Sequence, residues 1–212
     1  MFRSRHFAED DAGTMVAMAR AAGFGHLVVA GEEGLASTPV PFLIDDEGEV
    51  VRAHLARPNP VWRVAPCDAL LIVPVTDTYV TPSWYPSKAE HGKVVPTWNY
   101  EIVHLHGTLV ARDDDAWIEQ MVRDLTDHHE AAFDRPWPVD DAPADYLTKM
   151  RKAIVGVELT VTRLDGKRKL SQNKNEDDLA GTIAGLAGSP VRGAAAVRAA
   201  MIDDGTGTAD GR

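Results

Sequence analysis

One segment of this chain combines cationic and hydrogen-bonding side chains at a spacing that suits an anionic small molecule. It reads HLARPNPVWR, residues 54–63. An arginine such as Arg57 can bind a phosphate or carboxylate through two parallel hydrogen bonds. Asn59 followed by Pro60 predicts a helix start, where free backbone amides favour an anion. The same spacing is typical of a capped helix with a surface arginine, and spacing alone slightly favours that structural interpretation.

A second segment, residues 76–98, is a long stretch without a regular pattern that is rich in aromatic and polar side chains. Such a mixture suits a planar cofactor held by a few polar groups. An aromatic cluster that closes one end of a barrel is the structural alternative. The side chains concerned, including one just beyond the segment, are Tyr79, Thr81, Ser83, Trp84, Tyr85, Lys88, His91, Thr97, Trp98 and Tyr100.

A third segment, GKRKLSQNKN at residues 166–175, places four cations within eight residues. These side chains could bind a phosphate or a propionate, although a solvated charged turn is the usual interpretation of such a run. His104 and His106 lie two apart on a predicted strand and face the same side, but no third metal ligand is evident.

The composition limits the classes of function. The charge is 22 − 32 = −10, which argues against a nucleic-acid binder that works through a broad basic face. The single cysteine, Cys67, excludes an internal disulfide framework. No apolar run approaches the ~20 residues that span a bilayer, and the first residues lack an apolar signal core. We therefore expect a cytoplasmic protein that binds small molecules, with no membrane partner.

The patterning predicts one domain over residues 1–187 and a loosely ordered tail over residues 188–212. Apolar runs and turn signals predict six strands, which suggests a small antiparallel barrel with helices on its outside. The strands are predicted at 26–30, 35–44, 50–56, 69–75, 100–111 and 154–164, and the helices at 10–22, 113–130 and 142–152, with another after residue 175. Residues 76–98 and 165–175 are predicted as loops.

Three stretches, HLARPNPVW, TPSWYPSKAEHGKVVPTWNY and KLSQNKN, closely resemble the PaiB-type family in this order. Its members are described as FMN-binding negative transcriptional regulators with a split-barrel fold. The resemblance extends to about Leu186 and implies an α+β FMN-binding split barrel, a homodimer, and cofactor sites near the subunit interface. Residues 73–79 read VPVTDTY where the family commonly has FQGPHAY, and Pro39 stands where a histidine is common.

The chain is also similar to an offshoot of this family, the piperazate synthases, which use haem b in place of FMN. This resemblance implies a lyase that converts N5-hydroxy-L-ornithine to L-piperazic acid, with formation of an N–N bond and loss of water, in nonribosomal peptide biosynthesis. The alternative is an FMN-binding redox or transcriptional regulatory protein of the PaiB type.

The haem interpretation assigns a role to each candidate residue. His54 is expected to bind the iron, with His91 as the second choice. Arg57 and Arg63 could bind the substrate carboxylate. Arg57, Arg63 and His91 are together the expected catalytic residues. Arg168 and Lys169 are expected beside the haem propionates. The remaining cofactor-binding candidates are Asn59, Trp62, Ser83, Trp84, Thr97, Trp98, Ser171 and Gln172.

Overall fold

The structure is a computed structural model that describes residues 1–204. Its strands are β1 (Ala8–Glu9), β2 (Phe24–Gly31), β3 (Gly34–Ile44), β4 (Val50–Ala56), β5 (Cys67–Val80), β6 (Thr97–Arg112) and β7 (Ile154–Lys169). Its helices are α1 (Ala12–Ala22), α2 (Ser87–His91), α3 (Asp115–Glu130), α4 (Ala144–Arg151), α5 (Glu176–Leu186) and α6 (Ala194–Asp203). Short 3₁₀ helices cover Pro60–Val64, Pro82–Trp84 and Val139–Asp141.

The strands form one sheet in the order β1-β7-β4-β3-β2-β5-β6, and a further pairing of β6 with β7 joins the six long strands edge to edge in a ring. The pairs β1–β7, β2–β3, β2–β5, β3–β4 and β4–β7 are antiparallel. His26 faces Pro39 between β2 and β3, and His54 faces Gly156 between β4 and β7. The α+β class and the antiparallel arrangement predicted from the sequence are confirmed.

By its contacts the chain divides into two compact units. Unit 1 contains Met1–Asp11, Pro74–Val103 and the described residues from Asp165 onward. Unit 2 contains Ala12–Val73 and His104–Leu164. In unit 2, alternate residues of each strand point inward, so that the core includes Val51, Ala53 and Leu55 of β4, each less than 5% exposed. The intervening residues, His54 among them, face outward.

The core of unit 1 corrects the prediction of a loosely ordered tail from residue 188. Helix α6 buries Ala194, Val197 and Met201 against Leu170 and Leu186. The small residues that suggested disorder allow this helix to pack closely, while its apolar side chains fill the core. Residues 205–212 of the predicted tail lie outside the described residues.

Two predicted loops are shorter than expected. Strand β5 continues to Val80, and β6 begins at Thr97. The basic run is also not a loop, because β7 continues to Lys169 and its Lys167 pairs with Ala8 of β1. A strand partner eight residues from the N-terminus is a long-range pairing that local charge patterning does not reveal. No helix within residues 1–204 is long and apolar enough to cross a membrane.

Candidate functional site

Arg57 lies at the end of β4 in unit 2, where it joins three backbone segments. Its guanidinium donates to both carboxylate oxygens of Asp113, at 2.6 and 3.1 Å, and to the carbonyls of Lys152 and Ile154, at 2.8 and 2.9 Å. The hydrogen bond to Asp113 raises the pKa of Arg57 and lowers that of Asp113. These contacts give Arg57 a structural role, and its binding of a substrate carboxylate stays a prediction.

The predicted helix start at Asn59 is present, but it offers no free amide for an anion. Pro60 has no N–H, and the Val61 N–H donates to the Asn59 side chain at 3.0 Å. The Asn59 amide nitrogen donates to Thr38 Oγ1 at 3.0 Å, and the indole of Trp62 donates to the Arg57 carbonyl at 3.0 Å. The expectation of free backbone amides here is wrong, because Pro60 has none and the Asn59 side chain accepts the next one, the Val61 N–H.

A groove in unit 2 lies between the β2–β3 turn and the 3₁₀ helix Pro60–Val64. Its volume is about 580 Å³, and its walls include Gly31, Gly34, Val61 and Arg63. Ligand pockets typically measure ~300–1,000 Å³. Arg63 is exposed and has no carboxylate partner among residues 1–204; its guanidinium carbon lies 5.6 Å from the Trp62 ring centroid. The groove is therefore large enough for a cofactor and has an available cation.

His54 does not line this groove; it lines a smaller cavity in unit 2, of about 270 Å³, beneath α3 and α4. Its Nδ1 is buried and has no hydrogen-bond partner within the described chain. Burial lowers the pKa of His54, so the neutral imidazole is favoured at neutral pH. The histidine predicted to bind iron is thus in the form that can bind a metal.

In unit 1, the side chains of the aromatic segment (residues 76–98) contact helix α5 and one another. Trp84 packs against Gly181 and Gly185 of α5, where a Cβ atom would collide with it. Ser83 accepts a hydrogen bond from Lys88 Nζ at 3.2 Å. His91 is exposed, and its Nδ1 accepts the Lys93 N–H at 3.0 Å. Trp84 therefore contributes to the packing of α5, and the predicted contacts of Ser83, Trp84 and His91 with a cofactor or substrate stay predictions.

The two cations predicted beside the propionates, Arg168 and Lys169, have different surroundings: only Arg168 pairs with carboxylates among the described residues. Arg168 donates to Glu101 and Asp204, both at 2.6 Å, and lies 3.8 Å from Glu9. Its charge is neutralised within the protein, which does not support the predicted contact with a propionate. Lys169 donates instead to Thr97 Oγ1 at 2.6 Å and to the Trp98 carbonyl at 2.5 Å.

Lys169 belongs to a positively charged cluster in unit 1. Burial lowers its pKa, and the nearby charges of Lys167 and Lys174 lower it further. Sequence reasoning missed one contact of this cluster: Lys174 Nζ lies 4.3 Å from the ring centroid of Tyr85, whose buried hydroxyl has no partner within the described residues. Tyr85 and Lys174 are 89 positions apart in the sequence, and only the fold brings these two side chains together.

Ser171 and Gln172 shape the turn that follows β7. Ser171 is buried with φ of 71°, and its hydroxyl hydrogen-bonds the Asn99 side chain at 2.9 and 3.1 Å. Gln172 accepts the Leu170 N–H at 2.8 Å and donates to the Arg168 carbonyl at 2.7 Å. Both side chains satisfy the backbone and neighbouring groups, so their predicted contacts with a cofactor stay predictions.

The candidate residues therefore fall into the two units. Unit 2 contains His54, Arg57, Asn59, Trp62 and Arg63. Unit 1 contains Ser83, Trp84, His91, Thr97, Trp98, Arg168, Lys169, Ser171 and Gln172. Direct contacts join Thr97 and Trp98 to Lys169, and Trp62 to Arg57. Within residues 1–204, no three His, Cys, Asp or Glu side chains form a group that could hold a metal ion.

Comparison with protein families identifies the groove-bearing part of the chain. Residues 1–163 match the family model described as "Putative FMN-binding domain". The chain belongs to this PaiB-type family. The matched segment contains Arg63 and the whole groove, whereas the basic cluster from Lys167 onward lies beyond it.

Curated relatives support the family. The Bacillus subtilis protease synthase and sporulation protein PAI 2 is 31% identical over 147 residues, 68% of this chain and 68% of that protein. An uncharacterised protein of Emericella nidulans is 30% identical over 71% of this chain and 74% of its own length. An Aspergillus fumigatus protein is 38% identical over 51% of this chain, and the match spans about half of its length, 47%.

Solved structures support the fold. The flavocytochrome Anf3 of Azotobacter vinelandii matches with a TM-score of 0.58 and 18% identity, over 79% of this chain and 72% of that one. The FAD and haem binding protein of Mycobacterium smegmatis matches with a TM-score of 0.57 and 16% identity, over 87% and 82%. At this identity the likeness establishes the α+β fold alone.

Proposed function

We propose that this chain is a flavin-binding protein of the PaiB type that holds FMN in the unit 2 groove, with the phosphate beside Arg63. The observation that carries the proposal is the unpaired guanidinium in a groove of about 580 Å³, inside the segment that matches the FMN-binding family. The chain as a whole is acidic, yet no carboxylate among residues 1–204 pairs with this guanidinium.

The residues of the groove fit a phosphate-bearing flavin. Arginine binds phosphate through two parallel hydrogen bonds, and Trp62 beneath the guanidinium limits its freedom to move away. Glu32 and Glu33 also line the groove, at the turn. Their negative charge disfavours a phosphate at the turn and favours one at Arg63. Gly34 has open space where a Cβ would stand, which leaves this side free for a ring system.

When bound, FMN supplies hydride and single-electron transfer chemistry. In this proposal the chain contributes binding and orientation. Arg63 pairs with the phosphate, and the capped 3₁₀ helix keeps Arg63 in place. The Arg57 side chain is anchored by Asp113. The Arg57 backbone carbonyl accepts a hydrogen bond from the Trp62 indole and so holds the 3₁₀ helix in place. Arg57 is thus a positioning residue for the groove.

The test compares FMN with riboflavin, which lacks the phosphate, on the wild-type chain and on Arg63→Gln. Loss of a charged hydrogen bond to phosphate should weaken FMN binding by about ten- to a hundredfold. Riboflavin binding should remain the same in both proteins, since it has no group for Arg63 to bind. Binding is measured by quenching of flavin fluorescence.

The matched control is Arg135→Gln, which removes an exposed arginine of the same unit outside the groove. It should leave FMN binding unchanged. Equal losses of FMN and riboflavin affinity in Arg63→Gln would contradict the phosphate contact, and a wild-type chain that binds no FMN would refute the proposal itself.

A second candidate is the haem-dependent piperazate synthase that the sequence resembles. The observation that favours it is His54, whose neutral imidazole has a buried, unpartnered Nδ1 and lines a cavity. One structural neighbour, the FAD and haem binding protein of Mycobacterium smegmatis, has haem in its name. The cavity at His54, about 270 Å³, is below the usual range for ligands of drug size, and haem is at least of that size.

In this second candidate, haem b supplies a Lewis-acidic or electron-donating iron, and the chain folds N5-hydroxy-L-ornithine so that its two nitrogens meet. Arg63 is the available cation for the substrate carboxylate, because Arg57 is engaged with Asp113. Haem uptake with a Soret band that His54→Ala abolishes, together with turnover of N5-hydroxy-L-ornithine, would establish this function. The proposed homodimer is measured on the same sample by light scattering.

A further inference from the structure

The cavity beside His54 has properties that neither the flavin groove nor the family match explains. It lies in unit 2 between the outer face of β4 and helices α3 and α4, and it shares no lining residue with the groove. Its volume is about 270 Å³. The space is partly open to solvent, and its volume approaches the lower end of typical ligand pockets, ~300 Å³.

Helix α4 leaves this space open because it packs incompletely. None of its eight residues is buried, and Met150, which lines the cavity, is 39% exposed. The helix is attached at its end instead, where Arg151 pairs with Asp115 at 3.0 Å and with Glu119 at 3.7 Å. The apolar side chains Leu147 and Met150 thus line the cavity without a protein partner to fill it.

The walls determine which chemistry the cavity accepts. Val122, Val139, Leu147, Met150 and Ile154 make it predominantly apolar. The charged side chains at its edge are already compensated: Arg123 pairs with Glu119 at 3.1 Å and with Asp140 at 2.8 Å. A charged ligand would find no unpaired opposite charge among these groups, so the cavity favours an uncharged one.

His54 is the polar group that remains for a ligand. Its Nδ1 is buried and unpartnered. A proton on the buried Nδ1 would be an N–H group without an acceptor, which costs more than an unprotonated Nδ1 without a donor. The proton is therefore favoured on Nε2. His54 therefore presents one N–H donor, which requires a hydrogen-bond acceptor on the ligand.

We propose that this cavity binds a small, uncharged ring compound that carries one carbonyl or hydroxyl oxygen, with the oxygen accepting from His54 Nε2. The size follows from the volume: a dry apolar cavity of ~150 Å³ admits benzene, so about 270 Å³ accommodates two fused rings. The site is independent of the flavin groove.

The test uses 2-naphthol and naphthalene, which have the same ring system with and without the oxygen. We expect 2-naphthol to bind the wild-type chain with a Kd on the order of 100 μM, measured by its fluorescence and by changes in the NMR signals of the His54 ring. Naphthalene should bind about tenfold more weakly, because it lacks the hydrogen bond. In His54→Phe the two compounds should bind with equal affinity.

Cavity-filling variants locate the site. Val122→Trp should abolish binding of both compounds, and Leu147→Trp, at a half-buried position on α4, provides a second variant in case the first misfolds. Val95→Trp makes the same change at a position 70% exposed in unit 1, and should leave binding unchanged. FMN affinity is measured on every variant; it should not change, which separates this inference from the proposed function.

Three results would overturn the inference. The first is a wild-type chain that binds neither ring compound at millimolar concentration. The second is binding that survives both tryptophan variants. The third is a wild-type chain that binds no ring compound, together with a Val122→Trp chain whose oligomeric mass in light scattering differs from that of the wild type. The cavity would then be a surface that binds a second copy of the chain.

Discussion

Arg168 provides the most quantitative prediction for unit 1. The sequence suggests a residue that binds an anionic cofactor, whereas the structure gives it two hydrogen bonds of 2.6 Å to Glu101 and Asp204. The side chains of Arg168 and Glu101 are only 18% and 7% exposed. Removing one partner of a buried ion pair costs about 3–5 kcal/mol, since it leaves the other charge buried and unpaired. Because Arg168 retains some exposure, we expect Arg168→Met to lower the free energy of unfolding by about 2–4 kcal/mol.

Urea denaturation followed by circular dichroism measures this loss. The double variant Arg168→Met/Glu101→Leu should recover a large part of it, because the stranded carboxylate is removed as well. Lys167→Met is the matched control on the same strand and should cost less than about 1 kcal/mol. An Arg168→Met chain with unchanged stability and lost cofactor binding would refute the structural role.

Three further outcomes follow from the contacts. Gly185→Ala should lower the free energy of unfolding by about 1–3 kcal/mol, because its Cβ meets the Trp84 ring, and Trp84→Leu should relieve this cost in the double variant. The pKa of His54 is lowered by burial, so protonation favours the unfolded chain; stability should fall as pH drops below about 6.5, and His54→Gln should flatten this dependence. Burial and Asp68 raise the pKa of Cys67, so iodoacetamide should alkylate it more slowly than free cysteine at neutral pH. Melting curves with and without the variants, and mass spectrometry for the thiol, check these outcomes.

The sequence predicts most of the strands because their patterning is local. Turn signals around residues 50–56 and the apolar run at 69–75 predict strands there, and the structure has β4 over Val50–Ala56 and β5 over Cys67–Val80. The extension of β7 through the basic run could not be predicted, because it depends on the pairing of Lys167 with Ala8, far apart in the chain. Helix α6 was missed since an alanine-rich segment after glycines resembles a flexible tail until its packing partners are known.

The candidate site is less predictable, because charged side chains choose their partners through the fold. Arg57 and Arg63 are equivalent in the sequence pattern. In the structure Arg57 hydrogen-bonds Asp113, whereas Arg63 remains available for a ligand. Arg168 and Lys169 are adjacent in the sequence, yet only Arg168 hydrogen-bonds the carboxylates of Glu101 and Asp204. Residue type indicates which side chains can bind an anion, whereas only the spatial neighbours decide which of them remain free to do so.

The most direct test of the central claim is the absorption spectrum of the purified chain after equilibration with equal amounts of FMN and haem, followed by removal of unbound cofactor. The proposal predicts a yellow protein with flavin bands, and a strong reduction of these bands in Arg63→Gln but not in Arg135→Gln. A red-brown protein with a Soret band that depends on His54, and without flavin, would contradict it.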